Sequence, residues 1–184
     1  MRADLAMWRI ILQRWNGTSF LTQEPSLETS EVLATDASGS KGFGGFYFKT
    51  KQWFQSHWSK DIKLPDEKAL SIAFQEIYPI VVASLLFGER WQRRKVLFLC
   101  DNSAAVYIIN KGYSKCSKIM QLIRRLVLTA TVKGFDYEAQ HLSGVHNESA
   151  DALSRFQMDR FRHLQPDSKD LPVPCPPPHQ VLLR

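Results

Sequence analysis

The sequence predicts a mixed α/β domain: a five-stranded sheet, part antiparallel meander and part parallel, flanked by helices. Three observations carry that expectation. Residues 31–58 hold three short strand-like runs joined by tight turns. Residues 95–100 (KVLFLC) form an uninterrupted apolar run bounded by polar residues. From residue 64 onward, helical periodicity alternates with strands, as a mixed sheet covered by helices requires.

Each element has a local reason. Residues 31–38 (EVLATDAS) read as a strand that ends in a turn at Gly39-Ser40. Residues 42–48 (GFGGFYF) and 52–58 (QWFQSHW) read as a hairpin, because only Lys49-Thr50-Lys51 joins them. A helix is expected over 64–87 from the spacing of Ile77, Val81 and Ser84/Leu85, with Pro79 inside it as a possible kink. The run 95–100 reads as a strand buried on both faces. Helices follow at 102–110 and 115–132, a strand at 135–141 and a last helix at 147–156. Before all of these, Leu5, Trp8, Leu12 and Trp15 mark an amphipathic helix stopped by Asn16-Gly17. That helix either closes a preceding domain or docks on this one's core. Six of nine prolines fall between Pro166 and Pro178, which predicts an extended linker. The expected organisation is therefore residues 1–30 as N-terminal helix and linker, 31–156 as the α/β domain, and 157–184 as a proline-rich tail.

Composition narrows the function. A chain of 184 residues, 44% apolar and 23% charged, is ordinary for one soluble domain with extensions. No apolar run approaches a membrane span, so no membrane partner is expected. Three scattered cysteines without a CxxC pair argue against a disulfide framework or a zinc site, and for an intracellular setting, cytoplasmic or nuclear. The formal charge of +6 is concentrated: residues 88–134 hold ten Lys and Arg against Glu89 and Asp101. Such a local excess suits a polyanion, although a solvated helix face would look the same.

Four acidic residues stand out by context. Asp36 lies near the end of the first strand, Asp101 directly after VLFLC, Glu76 among apolar helical neighbours, and Asp151 in the last helix. Taken singly, each has a bland reading: a turn residue, an N-cap, and two solvent-facing helical positions. Taken together, two adjacent central strands would bring Asp36 and Asp101 side by side, with Glu76 and Asp151 carried in on helices. Four carboxylates at one spot repel unless divalent cations neutralise them. Hard, oxygen-seeking Mg2+ is the natural partner, and two such ions suit phosphodiester hydrolysis.

TDASGSKGFGGF, the isolated Glu of QEIYPIVVAS, FLCDNSAAV and HLSGVHNESADALSR together resemble the ribonuclease H domain of retroelement reverse transcriptases. The last segment is the most specific: His141, a loop, Asn147, then Ala-Asp-Ala-Leu-Ser-Arg. The flanks ADLAMWRIILQRWNG and SRFQMDRFRHL…PCPPPHQVLL resemble DIRS-type retrotransposon polyproteins, which carry a tyrosine recombinase.

The resemblance implies a ribonuclease H-like fold and an endonuclease for the RNA strand of RNA–DNA hybrids. It implies two Mg2+ ions, with Mn2+ able to substitute, held by Asp36, Glu76, Asp101 and Asp151. His141, on a loop with Gly144, would move protons or help product leave. Ser38, Gly39 and Asn102 are candidates to contact 2′-hydroxyls, and Lys115 to contact the backbone. The implied partners are the hybrid and a reverse transcriptase domain in cis, with the isolated domain a monomer. The alternative from another class is a domain of the same fold that grips nucleic acid but cuts weakly or not at all. His146, His57, Trp53, Trp58 and Trp91 are read as surface or packing residues.

Overall fold

Three short strands joined by tight turns open a sheet that two later strands complete. In the computed structural model, which describes residues 2–13, 29–62 and 71–182, that sheet comprises β1 (Thr29–Ala37), β2 (Gly42–Tyr47), β3 (Gln52–His57), β4 (Lys95–Cys100) and β5 (Asp136–His141). The helices are α1 (Arg2–Gln13), α2 (Ile72–Phe87), α3 (Ser103–Lys111), α4 (Ser117–Lys133), α5 (Glu148–Ser154), α6 (Met158–Leu164) and the short α7 (Pro178–Val181). Strand order is β3-β2-β1-β4-β5; the first three strands are antiparallel neighbours, and β1, β4 and β5 run parallel. This is the five-stranded mixed sheet with flanking helices that the sequence predicts.

The core lies mainly between one sheet face and helices α2 and α4. Leu33, Phe43, Tyr47, Val96 and Phe98 meet Ile77, Val81, Leu122 and Leu126 there. Helix α2 is capped by Ser71, whose hydroxyl accepts the Phe74 N–H at 3.3 Å. The helix therefore begins at Ile72 and not at the expected residue 64, which itself lies outside the described residues, because Ser71 is extended and caps it. The helix runs through Pro79 unbroken. An interior proline costs about 3 kcal/mol, but here Ile77, Tyr78 and the run Ile80–Ala83 are almost wholly buried, and that burial outweighs it. Residues 72–91 are long and apolar enough to cross a membrane by length and composition, but they are mostly buried inside the domain, where α2 is the core helix.

Two expectations, for β4 and for the tail, are corrected, and the N-terminal helix follows one of its two expected courses. First, β4 is buried on one face only: Val96, Phe98 and Cys100 point into the core, whereas Leu97 and Leu99 are half-buried, because no long helix packs over that side of β4 among the described residues. Second, α1 docks on α4 through buried Ile11 and an Asp4–Arg124 ion pair of 2.8 Å, leaving the Leu5, Trp8, Leu12 stripe exposed; Trp15 lies outside the described residues. Third, the proline-rich tail, as far as residue 182, does not run free. Phe161 of α6 is fully buried against Phe46 and Trp53, with ring centroids at 5.7 and 5.4 Å. The chain beyond it follows the outer edge of β3, where the N–H groups of Lys169 and Val173 donate to the carbonyls of Lys51 and Trp53 at 2.9 and 2.8 Å. Prolines lack donors, but residues between them do not, and an edge strand offers the acceptors.

Candidate active site

The carboxylates gather where the parallel strands end. Ala34 pairs with Leu99, so two residues further on Asp36 comes level with Asp101, just beyond the end of β4. Helix α2 crosses above and turns Glu76 inward; its carboxylate accepts the Ala37 N–H and lies 3.8 Å from the Cys100 thiol. Oxygens of Glu76 and Asp101 and the Cys100 sulfur lie within 4.8 Å of one another. Asp151 comes from the opposite face of the sheet, on α5.

Two local devices seat α5. The buried Asn147 amide donates to the Thr35 carbonyl at 2.9 Å, tying the start of α5 to β1 one residue before Asp36. Gly44, paired with Asp36 in the ladder, lets Leu153 pack against bare backbone: a Cβ there would stand 2.6 Å from the Leu153 Cβ. That close approach brings the Ser154 hydroxyl to donate to the Asp36 carboxylate. Asn147 and Ser154 thus position the site. Both lie inside the quoted motif, yet neither is assigned a role from sequence, because their partners sit on a strand more than a hundred residues away.

Electrostatics separate the four acids. Burial, offset in part by the Ser154 hydroxyl and reinforced by the charges of Asp101 and Asp151, pushes Asp36 up to about 6. Glu76, only 4% exposed, is pushed up to about 9 by burial and then by Asp36 and Asp101. Asp101 is raised by burial and by Asp151. Asp151 goes the other way. Burial opposes its charge, but hydrogen bonds from Arg155 and Arg160 prevail and lower it. Arg155 Nε meets Oδ1 at 2.5 Å and Arg160 Nη1 meets Oδ2 at 2.6 Å.

This donor set fits hard divalent cations. The carboxylate oxygens are acceptor-only ligands of the type Mg2+ and Mn2+ take. Three of the four are held in a shared, desolvated negative field, and at the fourth two guanidinium groups already stand where positive charge is wanted. Cys100 is the one soft neighbour; burial and Glu76 push its thiol far up, so it stays protonated.

The remaining predicted residues fall less evenly. His141 ends β5 in register with Cys100, and its exposed ring donates through Nε2 to the Asp101 carbonyl at 3.1 Å. The loop after it passes Asp101 closely: a Cβ on Gly144 would lie 3.3 Å from Asp101 Oδ2. Ser38 is already engaged, its N–H donating to Gly42 and its carbonyl accepting from Trp58 Nε1 at 2.7 Å. The Gly39 carbonyl accepts from Gln75. Asn102 is the N-cap of α3, its Oδ1 accepting the Ala105 N–H at 2.9 Å. Lys115 is exposed in the connection between α3 and α4. His146 is exposed, His57 stacks on Phe156, and Trp53 and Trp91 are buried.

The basic excess is not one patch. Arg90 bonds Gln52, Arg94 bonds Glu31, Lys95 pairs with Glu138, Arg124 with Asp4, and Lys133 bonds the Leu85 carbonyl. Sequence counts charge without partners, and half of these ten cations serve the fold. Lys111 is placed differently, 5.2 and 6.0 Å from the ring centroids of exposed Tyr107 and Tyr113.

No protein-family model matches the chain, and no curated protein does. Among solved structures it is similar to ribonuclease H1 from the halophilic archaeon Halobacterium salinarum NRC-1, at 12% identity and a TM-score of 0.49, over 70% of this chain and 96% of that one. It is also similar to the N-terminal ribonuclease H domain of Rv2228c from Mycobacterium tuberculosis, solved as a fusion with maltose-binding protein, at 13% identity and a TM-score of 0.47, over 73% and 99%. Likenesses this distant add nothing to the functional case, which rests on the carboxylates themselves.

Proposed function

We propose that this chain is a ribonuclease H, an Mg2+-dependent endonuclease that hydrolyses the RNA strand of RNA–DNA hybrids and leaves 3′-hydroxyl and 5′-phosphate ends. The observation that carries the reading is the gathering of Asp36, Glu76, Asp101 and Asp151 from β1, α2, the end of β4 and α5: Asp36 comes level with Asp101, oxygens of Glu76 and Asp101 lie within 4.8 Å of each other and of the Cys100 sulfur, and α5, which bears Asp151, bonds Asp36 through Ser154. Bound dications would supply the positive charge that polarises an attacking water and steadies the departing 3′ oxygen.

In this reading Asp36, Glu76, Asp101 and Asp151 would hold the ions, Asp36 being shared, Asp151 serving the water side and Glu76 with Asp101 the leaving side. Ser154 orients Asp36 through its hydroxyl, and Asn147 fixes the start of α5. His141, exposed beside Asp101 with its ring on the Asp101 carbonyl, moves protons or helps product leave. Lys111 and Lys115 face nucleic acid phosphates, which makes binding salt-dependent. The wider setting we infer is a DIRS-type retroelement polyprotein with a reverse transcriptase domain in cis.

A second reading has one observation in its favour. Both Asp151 oxygens are held by arginines, which suits a domain that grips hybrid and cuts slowly. One assay separates the two: labelled RNA–DNA hybrid, duplex DNA and duplex RNA, each with Mg2+ or EDTA. The nuclease reading expects internal cuts in the hybrid's RNA strand alone, dependent on Mg2+ and lost in Asp101→Asn. Salt-sensitive binding without cuts supports the second reading.

A further inference from the structure

Arg160 does not belong to the motif that carries the carboxylates. It sits on α6, in the segment the sequence marks as a tail, and its position is set by the neighbouring Phe161, which is locked between Phe46 and Trp53. The tail is tied down again by Arg162, whose guanidinium donates to Ser168 Oγ at 2.8 Å and to the carbonyls of Lys169 and Asp170 at 2.9 and 2.6 Å. From this anchored helix Arg160 reaches back across nine residues to Asp151 Oδ2 at 2.6 Å, while Nη1 also meets Gln157 Oε1 at 3.0 Å and Nη2 meets Glu148 Oε1 at 3.4 Å. Arg155, one turn along α5, takes the other oxygen, Oδ1. No comparable guanidinium contact is made by Asp36, Glu76 or Asp101 among the described residues.

We propose that α6 is a latch on the candidate metal centre: Arg160 holds the Asp151 oxygen that a dication would need, so the Asp151 half of the centre fills last and most weakly. This rests on the metal-centre reading of the four carboxylates. The physical argument is competition for one acceptor. A charge-assisted hydrogen bond from a planar guanidinium, held at the same Nη1 by Gln157 and at Nη2 by Glu148, must break before that oxygen can ligate an ion. The opposite half, formed by Asp36, Glu76 and Asp101, has no guanidinium to displace among the described residues; Asp36 meets the neutral Ser154 hydroxyl instead. A phosphodiester brought to the cluster offers Arg160 another acceptor, so substrate releases the latch and the centre completes itself when there is something to cut.

The test is Mn2+ binding to the full 184-residue chain by isothermal titration calorimetry. The wild type is expected to show a tighter and a weaker site. Arg160→Gln should tighten the weaker site about tenfold, the scale of one partly exposed charged hydrogen bond, and shift the tighter one by less than twofold. Arg160→Lys, which keeps the charge but loses the fork and is the milder change for folding, should fall between them. Asp151→Asn should abolish the weaker site, and adding Arg160→Gln to it should change nothing more. A titration curve for Arg160→Gln that overlays the wild type, or tightening that persists in the Asp151→Asn background, overturns the latch while leaving the centre standing. Wild-type Mn2+ binding by Asp36→Asn instead overturns the centre itself.

Discussion

At Asp36 three influences meet: burial under α5, a donated hydroxyl from Ser154, and the negative charges of Asp101 and Asp151. The net result holds the proton in the folded state more tightly than in the unfolded chain, where the group titrates near 3.8. Below that value both states are protonated and stability is unaffected. As pH rises from about 4 to about 6 the unfolded state ionises first and folding loses ground, and above about 6 the penalty is constant. In metal-free buffer, Asp36→Asn should therefore be more stable than wild type at pH 8, by up to ~3 kcal/mol, with the gain gone by pH 3. Urea unfolding at several pH values checks this, and an equal or lower stability for Asp36→Asn at pH 8 contradicts it. Added Mg2+ should stabilise wild type and leave Asp36→Asn unmoved. Asp101 stands out in the sequence because an acid placed directly after an apolar strand needs a cause, whereas Asp36, Glu76 and Asp151 stand out only together with it and through the motifs around them. At Ser38 and Asn102 the sequence does not carry the internal bonds the fold gives them: the Ser38 carbonyl accepts from Trp58 and the Asn102 side chain caps α3.

The element that decides the site is α5, and its seat on the sheet is built from absence of side chains. Gly44 gives Leu153 room against β2, and a methyl group there would drive into the Leu153 Cβ and the Phe54 carbonyl. Both obstacles are buried and neither is the free end of a flexible chain. Gly44→Ala should cost about 1–3 kcal/mol, the usual range for overpacking. It should also lift Asp151 and Ser154 away from Asp36, so Mn2+ affinity falls with stability; thermal melts and calorimetry on one sample follow both. A variant that melts and binds like wild type would show that α5 is seated some other way. Strand and helix positions were read to within a residue or two wherever alternation or a cap residue marked them. The β4 environment was misjudged because an unbroken apolar run does not say whether both faces are covered.

Over the whole molecule, the segment after α5 changes what counts as the domain. Composition described residues 157–184 as linker, since proline cannot build a ladder; the fold uses the residues between the prolines instead, pairing them with the open edge of β3. Pairing of that kind depends on which strand is left at the edge, a property of topology that no local pattern carries. Phe161→Ala should lower stability by about 3–5 kcal/mol, a core-sized loss that a linker residue could not produce. A change within 0.5 kcal/mol by urea unfolding would return the segment to linker status. The same logic accounts for the charge. A surplus of cations along 88–134 becomes partly structural once Glu31, Glu138 and Asp4 fold against it.

The most direct test is a crystal of the full chain soaked in Mn2+ and examined by anomalous scattering. Two peaks are predicted at the ends of β1 and β4, about 3.5–4 Å apart, both touching Asp36, one flanked by Glu76 and Asp101 and the other by Asp151 with Arg160 turned aside. Well-ordered carboxylates with no peak among them at millimolar Mn2+, or peaks only elsewhere on the surface, would contradict the account.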